Sequence, residues 1–335
     1  MKDKKKYYVV VTVAAAVIGF FAGYLNTKNE ELMVQKLSYQ DVSTMTANDE
    51  VAYWAHIIEQ EDGFKAYEEF GKLYGDVSYT EQHTHAHSFG EALFKTMGVN
   101  GVAVCDSNFG FGCYHSFFGW ALMTYGTGII KNLDEECIAV YGEKGLGCQH
   151  GIGHGVLVEL GLDKLEESLE LCALLNWQGP IGGCTSGVFM ENNFNTMGDA
   201  VVRAVNDADY QYPCSVVGER YKEACYFEQP AWWLAVEAND LELTGRLCAQ
   251  APSLREREAC YRGVGNTVAG TREYNAEEML QACVRMPDTE SELLCIEGAT
   301  WLLSAQPEFQ GTWEVMCEAL EGDAHKRCLD SVNFI

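Results

Sequence analysis

The sequence predicts an all-α protein: an α/α solenoid of about seven disulfide-stapled two-helix repeats after an N-terminal transmembrane helix. Three observations carry this. Fourteen cysteines fall into seven evenly recurring pairs. Apolar residues before them recur three and four apart, the spacing of one buried helical stripe. An uncharged run of 19 residues, Tyr7 to Leu25, follows four lysines.

The cysteines come first. The pairs are Cys105/Cys113, Cys137/Cys148, Cys172/Cys184, Cys214/Cys225, Cys248/Cys260, Cys283/Cys295 and Cys317/Cys328, with separations of 8, 11, 12, 11, 12, 12 and 11. First members recur at intervals of 32, 35, 42, 34, 35 and 34, a period typical of two-helix repeats. Leu165, Ser168, Leu169 and Cys172 share one helical face, as do Met279, Leu280 and Cys283. Asp163 and Asn275 stand where N-caps belong. Connectors such as Gly142 to Gly147 and Pro252 to Glu258 follow the first cysteine, and the second cysteine opens the next helix. Antiparallel helices joined by a short loop bring the two thiols into bonding range, so pairing within repeats is expected over pairing such as Cys113 with Cys137. Closing a loop of about a dozen residues is worth roughly 3 kcal/mol in the chain-entropy model.

Four units read Cys-x-x-Gly, at Gly151, Gly187, Gly263 and Gly298. Glycine inside a helix costs about 1 kcal/mol against alanine. A packing reason is therefore expected: close approach of the second helix to its partner or to the next repeat. The interval from Cys172 to Cys214 is longer by about seven residues, which points to an insertion within Gly187 to Tyr212.

Period, helix-pair layout and paired cysteines from Cys105 to Cys328 resemble the cysteine-rich, Sel1-like branch of tetratricopeptide-type repeats. The tetratricopeptide consensus of Trp, Leu-Gly and Tyr is not met. The resemblance implies a scaffold or binding surface, and no catalytic residue is carried over from it.

The expected organisation is a basic tip and membrane anchor (1–25), a polar stalk (26–47), an N-terminal helical region (48–104) and the repeat array (105–335). Lys2, Lys4, Lys5 and Lys6 should remain cytoplasmic, sending the bulk of the chain to the periplasmic or extracellular side. A cleaved signal peptide is the rival reading. So many cysteines agree with an oxidising compartment. Net charge is −26, and the first six residues carry +3, leaving −29 on the rest. Such acidity repels phosphate backbones and excludes nucleic acid as a partner class. It leaves the membrane and a protein or peptide as expected partners.

Six of the eight histidines lie between His83 and His154. Glu81 to Met97 reads as a helix ending at Gly98, which puts His83 and His87 on one face and turns His85 away. His150 and His154 are also four apart. His115 and His150 share a repeat position, two after the second cysteine. His83, His87, His115, His150 and His154 are therefore the candidate ligands of a transition metal such as Zn, Cu, Fe or Mn. Glu159 and Glu191 are candidate supporting carboxylates. A hydrogen-bonded polar cluster is the bland alternative. The position two after the second cysteine reads His115, His150, Ser186, Phe227, Arg262, Glu297 and Asp330, a polarity range that suggests a groove or solvent. Trp232 and Trp233 are expected in the core rather than in a pocket. No Cys-x-x-Cys, Gly-x-Ser-x-Gly or His-Glu-x-x-His pattern occurs, so no catalytic residue is assigned. Two functions remain: a metal-binding protein, with metalloenzyme chemistry one option, or a non-enzymatic scaffold.

Overall fold

The computed structural model describes residues 37–142, 145–175, 181–197, 201–306 and 309–332. The run Tyr7–Leu25 and the stalk up to residue 36 lie outside them. Among the described residues no helix is long and apolar enough to cross a membrane. The chain divides into two units, with the break between Thr46 and Ala47. In the first, Tyr39–Val42 forms one helical turn, and the Ser38 backbone N–H donates to the Asp41 carboxylate at 2.9 Å.

The regular elements of the second unit's described residues are all helical, with no strand. It opens with α1 (Ala47–Glu61), α2 (Gly63–Tyr74) and α3 (Tyr79–Met97). Asp62 and Ser78 cap α2 and α3 by accepting from the backbone N–H three residues on. Gly98, at φ +61°, ends α3. Trp54, Phe70, Phe89 and Tyr74 fill the space between these helices.

The array follows. A 3₁₀ segment, Gly98–Val104, precedes α4 (Gly112–Tyr125). Then come α5 (Ile130–Tyr141) with α6 (Leu146–Leu160), and α7 (Leu165–Cys172) with α8 (Cys184–Phe194). The fourth unit has only α9 (Lys222–Val236). The last three pair α10 (Leu241–Cys248) with α11 (Leu254–Thr271), α12 (Ala276–Cys283) with α13 (Thr289–Ser304), and α14 (Gln310–Glu318) with α15 (Gly322–Ser331). All seven disulfides form within repeats, with Cα atoms 5.4–5.8 Å apart. Cys105 pairs with Cys113, Cys137 with Cys148, Cys172 with Cys184 and Cys214 with Cys225. Cys248 pairs with Cys260, Cys283 with Cys295 and Cys317 with Cys328. The seven bonds point to an oxidising, extracytoplasmic environment.

Three local expectations need correction. Asp163 is not an N-cap: it lies inside a 3₁₀ turn, Leu162–Lys164, that leads into α7. Asn275 does cap α12, accepting from the Glu278 N–H. The second correction concerns where second helices begin. Cys184 does open α8, but Cys148 does not open α6. That helix starts at Leu146, because the Gly145 carbonyl already accepts from the Gln149 N–H at 2.9 Å, and Cys148 sits buried within the first turn. The connector after Cys137 therefore ends before Gly147. In α11 the offset is larger. The Ser253 hydroxyl accepts from the Glu256 N–H while the Glu256 carboxylate accepts from the Ser253 N–H. This capping box starts the helix about two turns before Cys260. Third, the fourth unit shows no first helix among the described residues. Cys214 lies among irregular turns, and that segment is held by Trp232 and Trp233, whose indole N–H groups donate to the Arg203 and Tyr210 carbonyls. Both tryptophans are core residues.

Consecutive second helices pack directly on one another: α4 on α6, α6 on α8, α9 on α11 and α11 on α13. The recurring glycines make this possible. A Cβ on Gly187 would stand 2.0 Å from the His150 carbonyl oxygen, and one on Gly153 would stand 2.0 Å from that of Cys184. The later repeats repeat the contact: Gly298 faces the Arg262 carbonyl at 1.9 Å, and Gly265 faces that of Cys295 at 1.8 Å. Each Cys-x-x-Gly glycine is therefore where a neighbouring repeat's backbone passes. The later repeats also contact α3. Tyr79, at the start of α3, hydrogen-bonds Gln306 through its hydroxyl and packs on Tyr274 and Phe309 with ring centroids 4.4 and 5.6 Å away.

Candidate metal centre

Close packing of α4, α6 and α8, together with α3, brings five imidazoles together. On α3, His83 and His87 are one turn apart, and their Nε2 atoms are 3.2 Å from each other. On α6, His150 and His154 repeat the arrangement, with Nε2 atoms 3.1 Å apart. His115 on α4 stands between the pairs. Its ring centroid is 5.2 and 5.4 Å from those of His83 and His87, and 5.8 and 4.4 Å from those of His150 and His154. Two triads of candidate ligand atoms result, each lying within 4.8 Å of one another: His83, His87, His115 and His115, His150, His154. Gly151 and Gly155 let α6 approach α4, Gly153 lets it approach α8, and Gly90 lets α3 approach the Cys113 carbonyl. Any larger residue at these points would push the rings apart.

Hydrogen bonds orient the rings. The Phe109 carbonyl lies 2.9 Å from His83 Nδ1. A carbonyl can only accept, so Nδ1 carries the hydrogen and Nε2 keeps its lone pair. The Glu191 carboxylate fixes His154 in the same way, accepting from Nδ1 at 2.8 Å and leaving the Nε2 lone pair toward His150. Glu191 is itself fully buried on α8 and accepts from the Thr196 hydroxyl at 2.5 Å and the Met197 N–H at 3.1 Å. Thr196 and Met197 lie within the Gly187 to Tyr212 stretch of the long interval. Burial alone would favour the neutral acid at Glu191, but hydrogen bonds from His154, Thr196 and Met197 outweigh it and lower its pKa. A carboxylate on Nδ1–H that frees Nε2 is a common support behind a metal-binding imidazole.

Four of the five rings are biased toward the neutral form. Burial pushes His87, His115 and His150 well below the ordinary histidine value, and His83 below it. Neighbouring imidazoles reinforce the shift at each of the four, while the Phe109 carbonyl partly offsets it at His83 and the Gly182 backbone at His150. Neutral imidazole is the form that binds metals. Nitrogen ligands at 2.0–2.1 Å in tetrahedral geometry would stand about 3.3 Å apart, close to the two Nε2 separations here.

The remaining sequence candidates separate clearly. His85 points away from the cluster, stacking on Tyr74 at 4.3 Å with its Nδ1 2.9 Å from the Glu50 carboxylate. Cys148, two residues before His150, is bonded to Cys137 and so offers no thiolate to an ion. It anchors the start of α6 instead and is not a ligand. Glu159 is corrected: it is exposed near the end of α6 and belongs to neither triad. Its place is two turns beyond His150, where α6 leaves the shelter of α8. The row two after the second cysteine is also corrected. His115, His150, Ser186, Phe227 and Glu297 are buried and only Asp330 is exposed, because the neighbouring repeat covers the row. Sequence reasoning missed Thr196, Met197 and the Phe109 carbonyl. A polar residue five after Glu191 was a weak signal for the first; the backbone groups carry none.

No protein family, no curated protein and no solved structure matches this chain. The site is therefore read from its own chemistry.

Proposed function

We propose that this is a membrane-anchored, extracytoplasmic metal-binding protein, in which a disulfide-stapled helical scaffold of Sel1-like layout presents a histidine-lined transition-metal site. The carrying observation is the pair of imidazole triads centred on His115. Four features support it. The ligand atoms are nitrogens, which suit Zn, Cu, Fe or Mn rather than Ca or Mg. Burial favours the neutral form at His83, His87, His115 and His150. Two of them have tautomers that aim Nε2 at a neighbouring ring. Glu191 supplies a buried countercharge one hydrogen bond away. The anchor rests on Lys2 to Lys6 and the apolar run behind them.

When bound, the ion would supply Lewis acidity or a one-electron couple. The residues of this chain hold it and set ring orientation through Phe109 and Glu191. The −29 charge outside the N-terminal tip would raise the local concentration of cations near the site, an effect that weakens with salt.

The test uses the full chain, purified in detergent from an oxidising compartment, loaded with Zn(II) or Cu(II), buffer-exchanged and assayed by elemental mass spectrometry. Retained metal that is reduced in His150→Ala/His154→Ala, with helical circular dichroism unchanged, supports the reading. Folded wild-type protein that retains no metal sinks it. What remains then is a scaffold for a basic protein or peptide.

A further inference from the structure

Resting on the metal-site reading, we propose that the centre is dinuclear, with His115 as a bridging imidazolate between an ion held by His83 and His87 and an ion held by His150 and His154.

The geometry has a two-fold character that one ion does not use. Each i,i+4 pair presents two Nε2 atoms 3.1–3.2 Å apart, a complete chelate in itself. The His115 ring is the one member common to both triads. It is 4 % exposed, and its Nδ1 has no hydrogen-bond partner among the described residues. An unpaired buried ring nitrogen is destabilising. Three of the flanking rings lack this defect in their orienting contacts. His83 has the Phe109 carbonyl, His154 has Glu191, and His150 has the Gly182 backbone. A ring that offers one nitrogen to each ion removes it at His115.

Charge leads to the same assignment. Two divalent ions bring four positive charges into a site whose only anionic contact among the described residues is Glu191, through His154. Buried charge is costly without compensation. Ring deprotonation at His115 supplies a negative charge at the midpoint. In that step the neutral His115 ring releases its N–H proton to solvent. Both ring lone pairs then bond, one to each ion, and no electron is transferred. Ions that acidify a bound imidazole suit this role, which favours Cu(II) and Zn(II) over Mn(II).

The experiment is a Cu(II) titration of the metal-free full chain in detergent, followed by electron paramagnetic resonance. The proposal expects saturation at two equivalents per chain. It expects an ordinary Cu(II) signal in partly loaded protein and a double-integrated intensity well below two spins at saturation, because an imidazolate couples the pair. Under the same loading, His115→Ala should give a signal that accounts for all the copper bound. The wild-type result stands alone if that variant fails to fold. Saturation at one equivalent, or two equivalents that integrate to two full spins, overturns the bridge and leaves the metal-site reading standing. No bound copper overturns both.

Discussion

The two ends of the array use one scaffold for opposite electrostatic purposes. In the second, third, fifth and sixth repeats, the second helices touch through glycine–carbonyl contacts at the same sequence offsets. The residue two after the second cysteine lies in the seam between them. In the later repeats that seam closes on itself. The Glu297 carboxylate accepts from Arg262 at 3.1 and 3.2 Å and from Arg327 at 2.9 Å, so donor and acceptor are both satisfied. In the early repeats the same seam holds His115 and His150, joined by His83, His87 and His154. These rings are lone-pair carriers and offer one another no carboxylate–guanidinium match. A shared backbone geometry thus becomes an ion-pair ladder at one end and a cation receptor at the other.

That contrast can be broken in order of expected effect. Gly153→Ala and Gly265→Ala occupy equivalent sites, and each added methyl meets a carbonyl oxygen at 2.0 or 1.8 Å. Helix propensity favours alanine by about 1 kcal/mol, but overpacking against backbone costs about 1–3 kcal/mol and should win. Both variants should lower the thermal midpoint by several degrees. Only Gly153→Ala should also weaken metal retention. Equal loss of metal in both would erase the distinction between the two ends.

Glu191→Gln comes next. The amide keeps the volume of the carboxylate but removes the charge behind His154. Metal affinity should fall about 10–100-fold, read by competition with a chromophoric chelator, while Glu297→Gln should leave it unchanged. An unaffected affinity in Glu191→Gln would remove the supporting role assigned to Glu191.

The pH response is smaller. Burial lowers the pKa of His83, His87, His115 and His150, so near pH 6 the unfolded chain takes up protons that the folded chain refuses. Stability of the metal-free protein is therefore full above the ordinary histidine pKa of about 6.5 and falls as pH drops below it. The urea midpoint should be lower at pH 5.5 than at pH 7.5, and a variant carrying glutamine at all four positions should show a flatter profile. An equal slope in that variant would place the titration elsewhere.

Much of this was legible in the chain. The cysteine spacing announced both the repeats and their staples, because a disulfide across a short helical loop tolerates only a narrow range of separations. The i,i+4 spacing put each histidine pair on one face, and the shared repeat offset aligned His115 with His150. Other features were not legible, for physical reasons. The seam looked exposed because its polarity varies. Burial there depends on glycines that draw the next repeat over it, a tertiary effect that periodicity does not encode. The start of α6 ahead of Cys148 was hidden by Gly145 and Gly147, which read as connector until the Gly145 carbonyl is seen to accept the first helical bond. Glu159 and Glu191 looked equivalent as acidic neighbours. Only the stacking of α8 on α6 brings Glu191 within 2.8 Å of His154 and leaves Glu159 in solvent. The lack of a first helix among the described residues of the fourth unit was hidden because Cys214 and Cys225 keep the normal separation.

Anomalous diffraction from crystals grown with Cu(II) or Zn(II) tests the central claim most directly. The account predicts anomalous density within the triads, with nitrogens of His83, His87 and His115, or of His115, His150 and His154, about 2.0–2.1 Å from a peak. Well-ordered density for all five rings with no anomalous peak among them, or a peak held only by surface carboxylates, would contradict it.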